Sequence, residues 1–202
     1  MATSSELKLV TITGPSCAGK TTLIRKLLES GPFCELVSFT TRERRIGEVE
    51  GVDYYFISVD HALSLIKHNK VIESITFKGN IYGTLIQEYE SKVATGKIPL
   101  VILDPHGLDQ YVELLPKGIY TIYIDSPVST LIERFLTRIA QEVQTPDSIK
   151  YNAKRLEGML IEHEDWIDYP YYHYIEEFTS ENQESRISIL IADILKEKNR
   201  SD

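Results

Sequence analysis

Residues 14–21 read Gly-Pro-Ser-Cys-Ala-Gly-Lys-Thr, the spacing G-x-x-x-x-G-K-[ST] of a phosphate-binding loop. Such a loop constrains the fold because it needs a buried strand before it and a helix after it. Both are present. Leu7 to Thr13 is apolar and β-branched and reads as a buried strand. Thr22 to Leu28 sets Leu23, Ile24, Leu27 and Leu28 at helical spacing. In that context the loop's backbone N–H groups and the helix N-terminus make an anion site. The expected ligand is a nucleoside triphosphate, held by Gly14, Pro15, Ser16, Cys17, Ala18, Gly19, Lys20, Thr21 and Thr22. Lys20 is placed to reach the outer phosphates, and the Thr21 hydroxyl to ligate Mg²⁺.

The rest of the chain alternates strands and helices. Strands are expected at Val37–Phe39, Tyr54–Ile57, Val71–Phe77, Leu100–Asp104, Ile119–Ile124 and Tyr172–Ile175. Helices are expected near Asp60–His68, Ile86–Thr95, Leu108–Leu115, Pro127–Gln141 and Ser185–Lys196. Thr145-Pro146-Asp147 opens a further helix, with proline at its first position and Ile149, Ala153, Leu156 and Leu160 as its apolar residues. The expected fold class is α/β: a parallel sheet with helices on both faces. The segment from Thr41 to Thr84 breaks the alternation with close-spaced strands and reads as an inserted small β lobe.

At 202 residues, 42% hydrophobic and 26% charged, the chain fits one soluble domain. A net charge of −8 argues against non-specific binding to nucleic acid or an anionic membrane. The N-terminus Met-Ala-Thr-Ser-Ser-Glu carries no basic-apolar signal, and no apolar run is long enough to span a bilayer. Of the two cysteines, Cys17 sits inside the phosphate loop, where pairing with Cys34 would disturb the site. Two reduced thiols and a cytoplasmic location are expected. The oligomeric state stays open between monomer and homodimer.

Arg42, Arg44 and Arg45 fall within four residues of an otherwise acidic chain. Arginine's planar, permanently charged fork matches phosphate. Alone, such a run reads as a solvated loop; beside a triphosphate loop it suggests a second phosphate to hold. Two polyanions repel, so fixed cations must hold them in line.

The run Ser38-x-Thr40-Thr41-Arg42-x-x-Arg45-x-Gly47-Glu48-x-x-Gly51-x-Asp53-Tyr54-x-Phe56 resembles the guanylate kinase signature. The resemblance continues through Ile72-Glu73, Gly79-Asn80-Ile81-Tyr82-Gly83-Thr84, Gly96-Lys97 and Asp104-Pro105-His106-Gly107. It implies ATP:GMP phosphotransfer with Mg²⁺. The implied core spans about 1–37, 85–126 and 165–202, with a GMP-binding lobe at about 38–84 and a lid at about 127–164. By resemblance, Arg42, Arg45, Tyr54 and Tyr82 hold the GMP phosphate. Ser38, Glu73 and Thr84 read the guanine, with Asp104 assisting. The chemistry agrees: guanine presents two donors on one edge, and one carboxylate accepts both. Without the resemblance, Glu73 reads as a solvent-facing strand residue, and Tyr54 and Tyr82 as half-buried strand tyrosines.

Arg134 and Arg138 lie four apart on one helix face. Their segment, and Lys154-Arg155-Leu156 with Glu162 following, are similar in spacing to the family's lid. There, arginines neutralise the transferring phosphoryl, which implies catalytic roles for Lys20, Arg45, Arg134, Arg138 and Arg155. Between Arg138 and Arg155 the chain is longer than the family pattern by a turn or two of helix. It also departs from that pattern at Cys17 (usually glycine), at Ile102 (often acidic) and at Ile175-Glu176-Glu177 (commonly an asparagine near the adenine). Two rival readings are a kinase for another (deoxy)nucleoside monophosphate or a phosphorylated sugar, and a catalytically inactive guanylate-kinase-like interaction module. Ser38 and Glu73 argue against the first, the intact phosphate loop against the second.

Overall fold

The computed structural model describes residues 8–45, 47–77, 79–115, 117–140, 145–170, 172, 174–177 and 182–199. The main sheet has five strands: β1 (Leu9–Thr13), β2 (Phe33–Glu35), β7 (Ile98–Ile102), β8 (Ile119–Asp125) and β9 (Tyr174–Glu177). Their order is β2-β7-β1-β8-β9, and every pairing is parallel. All five residues of β1 are buried, the pattern of a strand covered on both faces. Five helices alternate with these strands: α1 (Lys20–Glu29), α3 (Ile86–Val93), α4 (Pro105–Leu114), α5 (Val128–Ile139) and α7 (Gln183–Asn199). Leu23, Ile24 and Leu27 of α1, Leu131 and Phe135 of α5, and Ile187, Leu190 and Ile194 of α7 share one core with Val10, Ile12 and Ile122. The α/β class read from the sequence therefore holds.

A second sheet has the order β4-β3-β6-β5, from β3 (Phe39–Thr40), β4 (Tyr55–Phe56), β5 (Val71–Phe77) and β6 (Asn80–Leu85). Helix α2 (Val59–Lys67) precedes β5, capped by the Ser58 hydroxyl accepting from His61 N–H. Buried Glu88 of α3 ties the two sheets together: it accepts Val37 N–H and Tyr55 O–H, both at 3.1 Å.

Three local outcomes differ from the sequence reading. Strand β2 is absent from it, because three residues after Gly31-Pro32 carry no periodicity; pairing of Phe33 with Ile98 makes the strand. Strand β6 is likewise formed by its partners. Gly83 lies where a Cβ would come within 2.5 Å of the Glu73 carbonyl oxygen and 2.7 Å of the Phe39 ring, so only glycine lets β6 fit between them. Helix α6 (Pro146–Trp166) begins as expected, with Thr145 and Ser148 forming reciprocal caps. Its buried residues, however, are Asn152 and Met159, whereas Ile149 is 57% exposed. Leu156 and Leu160 pack with Met159 against the core, as the spacing predicts, while Ile149 and Ala153 nearer the start of the helix stay exposed.

Candidate active site

The loop between β1 and α1 lies at the carboxyl end of the main sheet, where open α/β sheets place ligands. Gly14 has φ +152°, and a Cβ there would stand 2.8 Å from the Ile124 carbonyl oxygen. Cys17 adopts φ +68°, a left-handed conformation that costs a side-chain-bearing residue about 1 kcal/mol. Its side chain packs against the core under the loop. Lys20 Nζ donates to the carbonyls of Gly14 (2.6 Å) and Pro15 (2.8 Å), which folds it back over the loop. Burial draws its pKa down to about 8, against the opposing pull of the Glu162 carboxylate. Ser16 N–H donates to Glu162 Oε2 at 2.8 Å, so a carboxylate from α6 sits on the loop's anion-binding amides. Thr21 is exposed on the first turn of α1, and Thr22 follows it half-buried.

Arg134 donates from Nη1 to the carbonyls of Ala18 (3.1 Å) and Cys17 (3.3 Å), gripping the loop backbone. The other expected cations gather elsewhere. Arg45, Arg138 and Arg155 line one cavity of about 510 Å³ with Lys154, Ser16 and Glu162. Arg155 also lies over the rings of Phe135 (5.4 Å) and Tyr151 (5.6 Å), which steer its guanidinium.

A second cavity of about 200 Å³ is lined by Ser38, Tyr54, Glu73, Tyr82 and Asp104, among others. Glu73, on β5, is only 5% exposed. Its Oε1 accepts from Thr84 Oγ1 at 2.8 Å, and Thr84 Oγ1 lies 3.2 Å from Ser38 Oγ. Burial first, and the Asp104 charge after it, push the Glu73 carboxyl up to about 7, although Thr84 favours the ionised form. Asp104 follows β7 and caps α4, its Oδ1 accepting Gly107 N–H at 2.7 Å. Tyr54 and Tyr82 meet edge to face at 5.9 Å. Arg42 lies over the Tyr54 ring at 5.4 Å, and its guanidinium is held in a two-pronged pair with Glu48, at 2.7 and 2.8 Å.

Sequence reasoning assigned Glu48 no role. The structure makes it the organiser of the arginine turn, because it also accepts Arg45 N–H at 2.7 Å. These hydrogen bonds, that from Arg42 foremost, hold its carboxyl down at about 2. The signal available was an acidic residue at short spacing from two arginines. Every expected residue of the acceptor set thus lies in or beside the two cavities. Of the expected lid cations, Arg134 alone turns to the loop carbonyls.

Among the described residues, no group of three or more acidic, histidine or cysteine side chains could hold a metal. Thr21 contributes a hard hydroxyl oxygen at the phosphate-loop helix, which fits Mg²⁺ that arrives with its phosphate and water ligands.

The model of the guanylate kinase family matches residues 6–174. A guanylate kinase of Brucella melitensis is 34% identical over 166 residues, 81% of this chain and 73% of that protein. One from Chlamydia felis is 36% identical over 157 residues, 77% of this chain and 74% of that protein. The crystal structure of guanylate kinase from Anaplasma phagocytophilum superposes with a TM-score of 0.68 at 26% identity, covering 94% of this chain and 86% of that one. The family match spans the phosphate loop, the arginine turn and the buried carboxylate pocket alike, and the chain belongs to the guanylate kinase family.

Proposed function

We propose that this chain transfers the γ-phosphoryl group of Mg-ATP to the phosphate of GMP, giving ADP and GDP. Family membership supports the reaction. The observation that carries the substrate choice is Glu73, a carboxylate buried at the floor of a small cavity with Thr84 and Ser38 beside it. When ionised, it offers two acceptor oxygens to the paired N–H donors of guanine, whereas adenine would leave one oxygen unmatched.

The phosphate loop cradles the donor. Lys20 releases its two carbonyls to follow the β- and γ-phosphates. Thr21 would hold Mg²⁺, which would supply charge neutralisation on the donor phosphates. Arg42, aligned by Glu48, and Arg45 take the acceptor phosphate together with Tyr54 and Tyr82. Arg138, Arg155 and Arg45 face the cavity between the donor loop and the acceptor turn, where transferring charge must be balanced. Arg134 stiffens the loop from behind. No general base is required, because the acceptor is already an anion. Residues of about 38–84 serve as the acceptor lobe, about 127–164 as the lid, and the rest as the core. No helix among the described residues is long and apolar enough to cross a membrane.

A coupled assay with ATP and a panel of monophosphates tests this reading. GMP is turned over far faster than AMP, CMP or UMP. Equal rates with GMP and AMP would refute it.

A further inference from the structure

Tyr111 of α4 is fully buried, packed with Leu9, Leu36, Ile72, Val101 and Leu103. Its hydroxyl has no hydrogen-bond partner at proper geometry. A buried orphan hydroxyl is costly, and phenylalanine would fill the same space without that cost. The hydroxyl is not in apolar surroundings, however. Its polar neighbours are the Thr84 hydroxyl, the Glu73 carboxylate and the Tyr89 hydroxyl. Helix α4 is also tied to β5 directly beside Glu73, where Ser74 N–H donates to Gln110 Oε1 at 3.3 Å.

Proton bookkeeping at Thr84 shows what the hydroxyl can do. Thr84 has one proton and gives it to Glu73 Oε1. With Glu73 ionised, the 3.2 Å contact with Ser38 then runs from the Ser38 O–H to Thr84 Oγ1. When Ser38 turns its proton to an incoming base, Thr84 loses that donor. Tyr111 O–H is the neighbouring donor that can replace it. We propose that Tyr111 is a positioning residue for acceptor recognition: on GMP binding its hydroxyl donates to Thr84 Oγ1 and keeps the Thr84 proton directed at Glu73. This rests on the guanine reading of Ser38 and Glu73 proposed above.

The test is Tyr111→Phe, which removes one oxygen and leaves the ring. One neutral hydrogen bond gained only in the complex corresponds to a KM for GMP about five- to tenfold higher. The KM for ATP and kcat stay within about twofold, on the same reasoning. The melting temperature of the free protein is unchanged or higher, while that of the GMP complex falls. In a Thr84→Val background, Tyr111→Phe has no further effect on the KM for GMP. An unchanged KM for GMP, a matching rise in the KM for ATP, equal destabilisation with and without GMP, or the same penalty on Thr84→Val would each overturn the proposal. Should the variant not fold, proton NMR of the unmodified protein decides. A tyrosine hydroxyl resonance that sharpens with GMP and not with ATP supports the role; its absence with GMP overturns it. Glu73→Gln separates the two levels. If that variant still prefers GMP over AMP, the guanine reading fails. If it loses the preference while Tyr111→Phe is silent, only the positioning role fails.

Discussion

Replacing Glu73 by glutamine should trade acceptor recognition for stability, and the structure sets the size of both effects. The carboxyl is pushed from 4.5 up to about 7, chiefly by burial. A group with a raised pKa in the folded state adds stability at pH below its unfolded value, and that stability is lost as pH rises through the folded value. The rise corresponds to about 3 kcal/mol, lost by the wild type between about pH 4.5 and pH 7. Glutamine keeps the shape and an acceptor for Thr84 and does not titrate. Urea unfolding of the free proteins should therefore give near-equal stabilities at pH 4.5, with Glu73→Gln more stable by about 3 kcal/mol at pH 8. The same variant presents an amide donor where guanine also presents donors, so kcat/KM for GMP should fall about 10²- to 10³-fold. Apparent ATP binding should hardly change. A variant no more stable at pH 8 than the wild type, or one that keeps its kcat/KM for GMP, would refute the account of a carboxylate kept ionisable for the acceptor at a cost to the fold.

Lys20→Ala should leave a folded protein with turnover lower by at least about 10²-fold, measured by the coupled assay against a circular dichroism control. Gly83→Ala should destabilise by about 1–3 kcal/mol in urea unfolding and weaken GMP more than ATP, since the added Cβ would meet the Glu73 backbone and the Phe39 ring. Cys17→Gly should retain activity, with the relief of about 1 kcal/mol at φ +68° offset in the melting curve by the lost packing of the thiol. Glu48→Gln frees Arg42 from its two-pronged hold and should raise the KM for GMP about tenfold while leaving that for ATP alone.

By itself the sequence determined the donor loop, the α/β class and the residue types of the acceptor site. Those features are local: a strand-loop-helix order around residues 9–29, helical spacing in 128–139 and a contiguous arginine turn at 42–45. Strands β2 and β6 were not legible: β2 exists only through its distant partner β7, and β6, hairpinned to β5, is held on its other side by distant β3. The buried face of α6 was legible in its second half, at Leu156 and Leu160, but not at its start, where Ile149 is exposed. At the site, glutamates 48 and 73 are chemically identical in the sequence. The structure sets their charge states apart, holding Glu48 ionised against Arg42 at a carboxyl pKa of about 2 and burying Glu73 beside Asp104 at about 7. It likewise brings Tyr111 from another helix to the back of Thr84. The state of Glu73 depends on burial and on neighbours supplied by distant segments, which no local spacing encodes, whereas Glu48 takes its partners from its own turn.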